Sequence, residues 1–247
     1  MKSRLCILSL VWAALLSGHA FAQQQRPEEK YPVHPDSLQK PGVPEGQITQ
    51  GKFDQSKLFP GTVRDYWVYV PKQYDGSKPV ALMVFQDGGG YVRRAGGVNV
   101  PNVFDNLIQS GDMPVTVGVF VNPGVVPANN EESQARFNRS FEYDSIDDRY
   151  AKFLTDEFLP FVESKHQLKF STDPNDRGIC GSSSGGICAF NVAWQRPDLF
   201  RRVFTTVGTY VGLRGAHELA TMIRKTEPKP LRIYLQDGAN DNNIYGG

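Results

Sequence analysis

Arg177 to Trp194 reads RGICGSSSGGICAFNVAW, and the fold of the whole chain turns on how this stretch is read. An apolar run ending at Ile179 and Cys180 predicts a short buried strand. Gly181-x-Ser183-x-Gly185 predicts a sharp turn, and Ile187, Ala189, Phe190, Ala193 and Trp194 recur at helical spacing until Pro197 stops the helix. Strand, turn and helix with this G-x-S-x-G spacing form a nucleophile elbow, in which a serine caps a strained bend with its Oγ exposed. The backbone at that serine is forced toward positive φ, and the residues two positions away must lack side chains for strand and helix to pass so closely. Ser182 and Ser184 flank the turn, but only Ser183 has glycine at the required distance on both sides. A Gly/Ser-rich connecting loop is the plainer alternative.

Outward from the elbow, strands and helices alternate. Val80 to Phe85, VALMVF, is apolar on both faces and predicts a central parallel strand covered by helices on each side. Thr62 to Val70 predicts a half-exposed strand, and Val115 to Val121 a second fully buried one. Val203 to Val207 and Leu231 to Leu235 are further short strands. Helices are expected over Val103 to Gln109, Asp148 to His166 (with a kink at Pro160) and Glu218 to Lys225. The alternation predicts an α/β fold with a doubly wound, mostly parallel sheet.

In such sheets ligands bind beyond the carboxyl ends of the strands, so the residues there are the candidates for chemistry. Gln86-Asp87-Gly88-Gly89-Gly90 follows the first buried strand, and its glycines let a backbone amide face that space. With the amide of the residue after the nucleophile, this gives Gly89 and Ser184 as a candidate oxyanion hole. Gln236-Asp237-Gly238-Ala239-Asn240-Asp241 follows the last strand. The chain order Ser, Asp, His of elbow hydrolases calls for a carboxylate there, Asp241 being the better placed and Asp237 the second. An acidic residue capping turn amides is the alternative for either. The long polar segment Val125 to Asp147, with Arg136, Arg139, Glu142 and Tyr143, is read either as a wall of the substrate pocket or as a solvated insertion.

Residues 1–22 read as a cleavable export signal: Lys2 and Arg4, an apolar run from Leu5 to Leu16, and Ala20-Phe21-Ala22 before the cut. The apolar run is too short to span a bilayer, so no membrane span is expected. Residues 23–47, rich in proline, read as an extended, poorly ordered lead-in, and 48–247 as the folded domain. The formal net charge of +1 becomes −1 without Lys2 and Arg4, which gives no reason to expect nucleic acid as a partner. Cys180 and Cys188 bracket the elbow and read as buried thiols more readily than as a disulfide. No Cys/His spacing suggests a metal, and no cofactor is expected.

VFQDGGGY, RSFEYD with DRYAKFLTDEFLP, GICGSSSGGICAF, and LQDGANDNN, taken together and in this order, resemble the putative-esterase family of α/β-hydrolases, in particular its secreted enterochelin-esterase-like branch. The resemblance covers nearly all of the chain from about residue 47. It implies Ser183 as nucleophile, Asp241 as acid and Gly89 at the oxyanion position, with a carbohydrate, siderophore or other small-molecule ester as substrate. A secreted serine ester hydrolase is the first expectation. An acyltransferase of the mycolyltransferase type is the second, separable by product analysis with an added sugar acceptor. A non-catalytic binding protein on the same scaffold is the third, and a fluorophosphonate that fails to label Ser183 would favour it.

The histidine of a triad comes after the acid in this chain order. The four histidines here, His19, His34, His166 and His217, all precede Asp241. The expectation is therefore a chain lacking the last strand, the last helix and the catalytic histidine, nearly inactive and with an exposed sheet edge. His166, at a helix C-terminus, is expected to complement the helix dipole as a cation, and His217 is the least implausible substitute base.

Overall fold

The alternating pattern folds into one large sheet in the computed structural model, which describes residues 32–239 and 241. Its strands are β1 (Gln47–Phe53), β2 (Arg64–Val70), β3 (Ala81–Gln86), β4 (Thr116–Val121), β7 (Arg177–Ser182), β8 (Arg202–Thr206) and β9 (Arg232–Gln236), while β5 (Val125–Val126) and β6 (Arg136–Phe137) pair as a separate ribbon. The spatial order is β1-β2-β4-β3-β7-β8-β9. β4, β3, β7, β8 and β9 run parallel; β2 is antiparallel to both β1 and β4. The architecture is the α/β, mostly parallel sheet that the sequence predicts.

Two apolar layers explain why the central strands read as unbroken hydrophobic runs. Val84, Val119 and Ile179 face a larger core built from Phe153, Leu154, Phe158, Ile187 and Phe190. Their sequence neighbours Phe85, Phe120 and Cys180 face the opposite side, under Val100, Phe104 and Ile108. Successive side chains of a strand point to opposite faces, so a strand covered on both sides must be apolar at every position. Each such side chain contributes about 1.5–3 kcal/mol on full burial.

The helices are α1 (Val100–Ser110), α2 (Arg139–Tyr143), α3 (Arg149–Lys152), α4 (Leu159–His166), α5 (Ser184–Gln195) and α6 (Leu219–Lys225). The single helix expected over 148–166 is three segments, because a π-helical turn, Phe153–Phe158, separates α3 from α4. Pro160 has no N–H to give to a preceding carbonyl, and the chain widens just before it while keeping Phe153, Leu154 and Phe158 in the core.

One strand is added and two further expectations are revised. β1 leaves no signal in the sequence, since QITQGKF exposes most of its positions as a sheet edge does and carries no apolar stripe. The lead-in is not loose over its described part. Asn99, beside α1, and Asn102 and Asn106 within it donate from Nδ2 to the carbonyls of Asp36, Ser37 and Leu38 at 2.8–3.2 Å. His166 is an uncharged partner in place of a dipole-capping cation. Its Nε2 lies 3.1 Å from Tyr66 Oη, and burial, with Lys165 beside it, lowers its pKa below the usual 6.5. Because the unfolded chain takes up that proton more readily, His166 favours folding fully above pH ~6.5 and loses this as pH falls toward its lowered native value. Urea midpoints at pH 7.5 and 5.5 should therefore differ more in the wild type than in His166→Gln. Equal differences would count against this role.

Cys180 and Cys188 are both buried, unbridged thiols. Burial pushes Cys180 up to about 12 and Cys188 well above its ordinary range, so neither is a nucleophile at neutral pH. Among the described residues no helix is long and apolar enough to cross a membrane. Residues 1–22, assigned to the export signal, lie outside those described.

Candidate active site

The carboxyl ends of β3, β4, β7, β8 and β9 meet at one edge of the sheet. Ser183 sits at the centre of it, with φ 55° and ψ −125°, between the end of β7 and the first residue of α5. That conformation is one an L-residue rarely adopts, and steric need at the glycines explains how it persists. A Cβ on Gly181 would fall inside the radius of the Gly185 carbonyl, and one on Gly185 would come within 3.0 Å of Asp87 Oδ2. At Gly181 strand and helix pass too closely for any side chain, as the motif predicts, whereas at Gly185 a Cβ would press on the end of β3 and the Asp87 carboxylate. Ser183 N–H donates to Thr206 O at 3.1 Å and its carbonyl accepts from Thr209 N–H at 3.2 Å, tying the elbow to the end of β8. The Ser183 side chain is exposed and its Oγ lies 3.2 Å from Thr209 Oγ1.

Next to Ser183, Ser182 Oγ lies 2.7 Å from Tyr91 Oη and is also bonded to Thr206 Oγ1. Burial raises Tyr91 to about 12, so the phenol stays protonated. Ser184 is the first residue of α5 and is buried, which places its backbone amide in the unpaired first turn of the helix.

The turn after β3 is more constrained than three glycines suggest. Asp87 has left-handed backbone, φ 56° and ψ 43°, and Gly88–Gly90 form a single 3-10 turn. Gly89 N–H donates to Asn122 Oδ1 at 3.1 Å. The nominated oxyanion donor thus already has a partner, supplied by the residue that follows β4. Asp87 receives a two-bond fork from Arg139, Nε to Oδ1 at 2.9 Å and Nη2 to Oδ2 at 2.8 Å, which raises the guanidinium pKa.

Segment 125–147, with its two open readings, folds inward. Arg139 reaches Asp87, and Glu142 is fully buried against Arg64 at 2.7 Å. Tyr143 is buried, with its Oη accepting from Asp87 N–H at 3.2 Å. Arg136 and Phe137 stay exposed, and with Ser140, Phe141 and Arg214 they border a cavity of about 400 Å³. Sequence reasoning listed Arg139 without its partner and missed Thr209, Asn122 and Tyr91.

β9 pairs with β8 through Thr206 and Gln236, so the turn that begins at Asp237 leaves the sheet at the elbow's end. Asp237 Oδ1 accepts from Gly238 N–H at 2.9 Å, the turn-capping alternative. Asp241 is exposed and its own N–H donates to Gly238 O at 3.0 Å. His34 is exposed and accepts from Asp36 N–H, His166 is bonded to Tyr66, and His217 is exposed. None of the described histidines hydrogen-bonds Ser183. Among the described residues no group of acidic, His or Cys side chains could hold a metal ion.

Solved structures share this fold at low identity. An enterobactin esterase from Shigella flexneri, determined with 2,3-dihydroxy-N-benzoyl-serine, superposes with a TM-score of 0.63 at 20% identity, over 84% of this chain and 50% of that one. This chain therefore spans about half the length of that protein. A ferulic acid esterase matches with a TM-score of 0.61 at 19% identity, covering 79% of this chain and 80% of the other. A serine-to-alanine mutant of the feruloyl esterase module from Clostridium thermocellum, complexed with sinapinate, matches at 0.58 and 17%, over 85% and 72%. In sequence, the uncharacterized protein YbbA of Bacillus subtilis (strain 168) is 20% identical over 187 residues, which is 72% of this chain and 69% of that protein. The family model described as "Putative esterase" matches residues 60–244, most of the chain and every element of the site. The chain belongs to that family, an esterase family of the α/β-hydrolase type.

Proposed function

We propose that this chain is an exported serine carboxylic-ester hydrolase that works through an acyl-enzyme on Ser183. The observation that carries the reading is the backbone of Ser183 at φ 55° and ψ −125°, with its side chain exposed above two glycines that permit the bend. Membership of an esterase family supports it. Ser183 Oγ attacks the ester carbonyl, a histidine takes its proton, and the tetrahedral oxyanion accepts from the amides of Ser184 and Gly89. Gly89 exchanges its bond to Asn122 for the oxyanion in that step. Collapse expels the alcohol, and water then releases the acid. Asp241, with Asp237 as second candidate, orients the histidine. No cofactor enters. Similarity to proteins whose structures contain enterobactin and sinapinate favours an aryl-acid or siderophore ester as substrate.

The general base is, in this reading, none of the described histidines. His34 and His166 are engaged elsewhere, and His217 shows no bond to Ser183. Hydrolysis of p-nitrophenyl esters by residues 23–247 is therefore expected to be orders of magnitude below that of a complete triad. The test is to measure that rate in the wild type and in His217→Ala. Robust turnover that is lost in His217→Ala would install His217 as the base. A product ester formed with an added sugar in place of free acid would instead make the enzyme an acyltransferase.

A further inference from the structure

We propose that Asp87 is a positioning residue of the acyl-transfer site, and that the fork from Arg139 fixes the Gly88–Gly90 turn against the elbow so that its amide can meet the oxyanion. The inference rests on Ser183 as nucleophile. Three observations converge on this one carboxylate. Asp87 is an L-residue in left-handed backbone immediately before the amide-bearing turn, a conformation that neighbours must hold in place. α2 supplies the enforcement from both ends of one short helix, since Arg139 holds the carboxylate by two bonds and Tyr143 accepts from the amide of the same residue. The same Oδ2 lies within 3.0 Å of where a Cβ on Gly185 would stand, so the carboxylate is wedged between the turn and the first turn of α5. Gly88 closes the other side, because a Cβ there would collide with the Phe120–Val121 peptide.

The consequence is mechanical coupling. Segment 125–147 borders the cavity near Phe141 and Arg214, and it touches the catalytic turn through Arg139. Loss of the fork removes two charge-assisted bonds whose geometry Lys cannot reproduce, since only the planar guanidinium matches both carboxylate oxygens. A displacement of about 1 Å in an oxyanion donor is enough to cost up to ~100-fold in rate.

The experiment compares wild type, Arg139→Lys, Arg139→Gln and Arg139→Ala in residues 23–247. Hydrogen exchange is read peptide by peptide. The expected result is exchange at least ~10-fold faster in the peptide holding residues 87–92, in both Lys and Gln variants, with other peptides and the melting temperature little changed. The residual p-nitrophenyl acetate turnover that binding and the oxyanion hole supply should fall about 10–100-fold in kcat at nearly constant KM, and free guanidinium should restore part of it in Arg139→Ala. Unchanged exchange at 87–92 in Arg139→Gln overturns the proposal, as does faster exchange spread evenly over the chain, which marks a merely structural contact. The exchange measurement needs no turnover. Should Ser183→Ala keep the wild-type rate, the nucleophile assignment fails while the result at 87–92 still decides whether the fork holds the turn.

Discussion

Where a triad histidine is in place, Ser183→Ala is expected to abolish hydrolysis of p-nitrophenyl acetate above the residual rate left by binding and the oxyanion hole, without lowering the melting temperature. Removal of a triad nucleophile costs on the order of 10⁶ in kcat where the other members are in place. The side chain lost is small and exposed, and among the described residues it is hydrogen-bonded to Thr209 Oγ1 alone, at 3.2 Å. Ser183→Gly should be equally inactive and more stable. Its φ of 55° and ψ of −125° cost an L-residue about 1–3 kcal/mol, a strain that glycine relieves at the expense of about 0.5–1 kcal/mol of unfolded-state entropy. A melting temperature a few degrees higher in Ser183→Gly, with Ser183→Ala near the wild type, would show strain held for function. Hydrolysis surviving in both variants would move the nucleophile elsewhere. A melting temperature that falls in both would remove the strain argument.

Glu142→Ala should be strongly destabilising. Arg64 and Glu142 are completely buried, with Nη1 to Oε2 at 2.7 Å and Nη2 to Oε1 at 3.2 Å. Glu142 Oε2 also accepts from Gly124 N–H at 3.1 Å, and the Arg64 guanidinium lies 4.1 Å above the Phe153 ring. Removing the carboxylate strands a cation in the core and leaves the Gly124 amide without its acceptor. Such a break costs about 3–5 kcal/mol, or on the order of 10 °C in a domain of this size. The net worth of the pair is a separate quantity, because two buried charges recover little more than their own desolvation. The double variant Arg64→Met/Glu142→Leu should accordingly recover much of what Glu142→Ala loses. Thermal and urea unfolding of the three proteins checks both points, and a loss under about 1 kcal/mol in Glu142→Ala would mean that water or another group replaces the carboxylate.

The same residues mark how far the chain is legible before it folds. Gly181, Ser183 and Gly185 announce themselves because the steric demand of the elbow is local, confined to five consecutive positions and expressed as glycine where a Cβ would collide. The buried strands are legible for a related reason: coverage on two faces imposes an unbroken run without polar side chains along β3 and β4, Gln86 and Thr116 at their ends aside, a rule that needs no knowledge of the neighbours. β1 obeys no such rule, since an edge strand takes its hydrogen bonds from β2 and asks little of its side chains. The fork between Arg139 and Asp87 spans 52 residues of sequence, the Gly89–Asn122 bond 33 and the Ser183–Thr209 contact 26. Each joins loops that approach only because parallel strands deliver their carboxyl ends to one edge of the sheet. The sequence by itself determined the elbow, the layered α/β architecture and the identity of the nucleophile candidate. Tertiary structure decided which of the polar loop residues face that nucleophile, because charge complementarity between distant loops leaves no periodic trace in either of them.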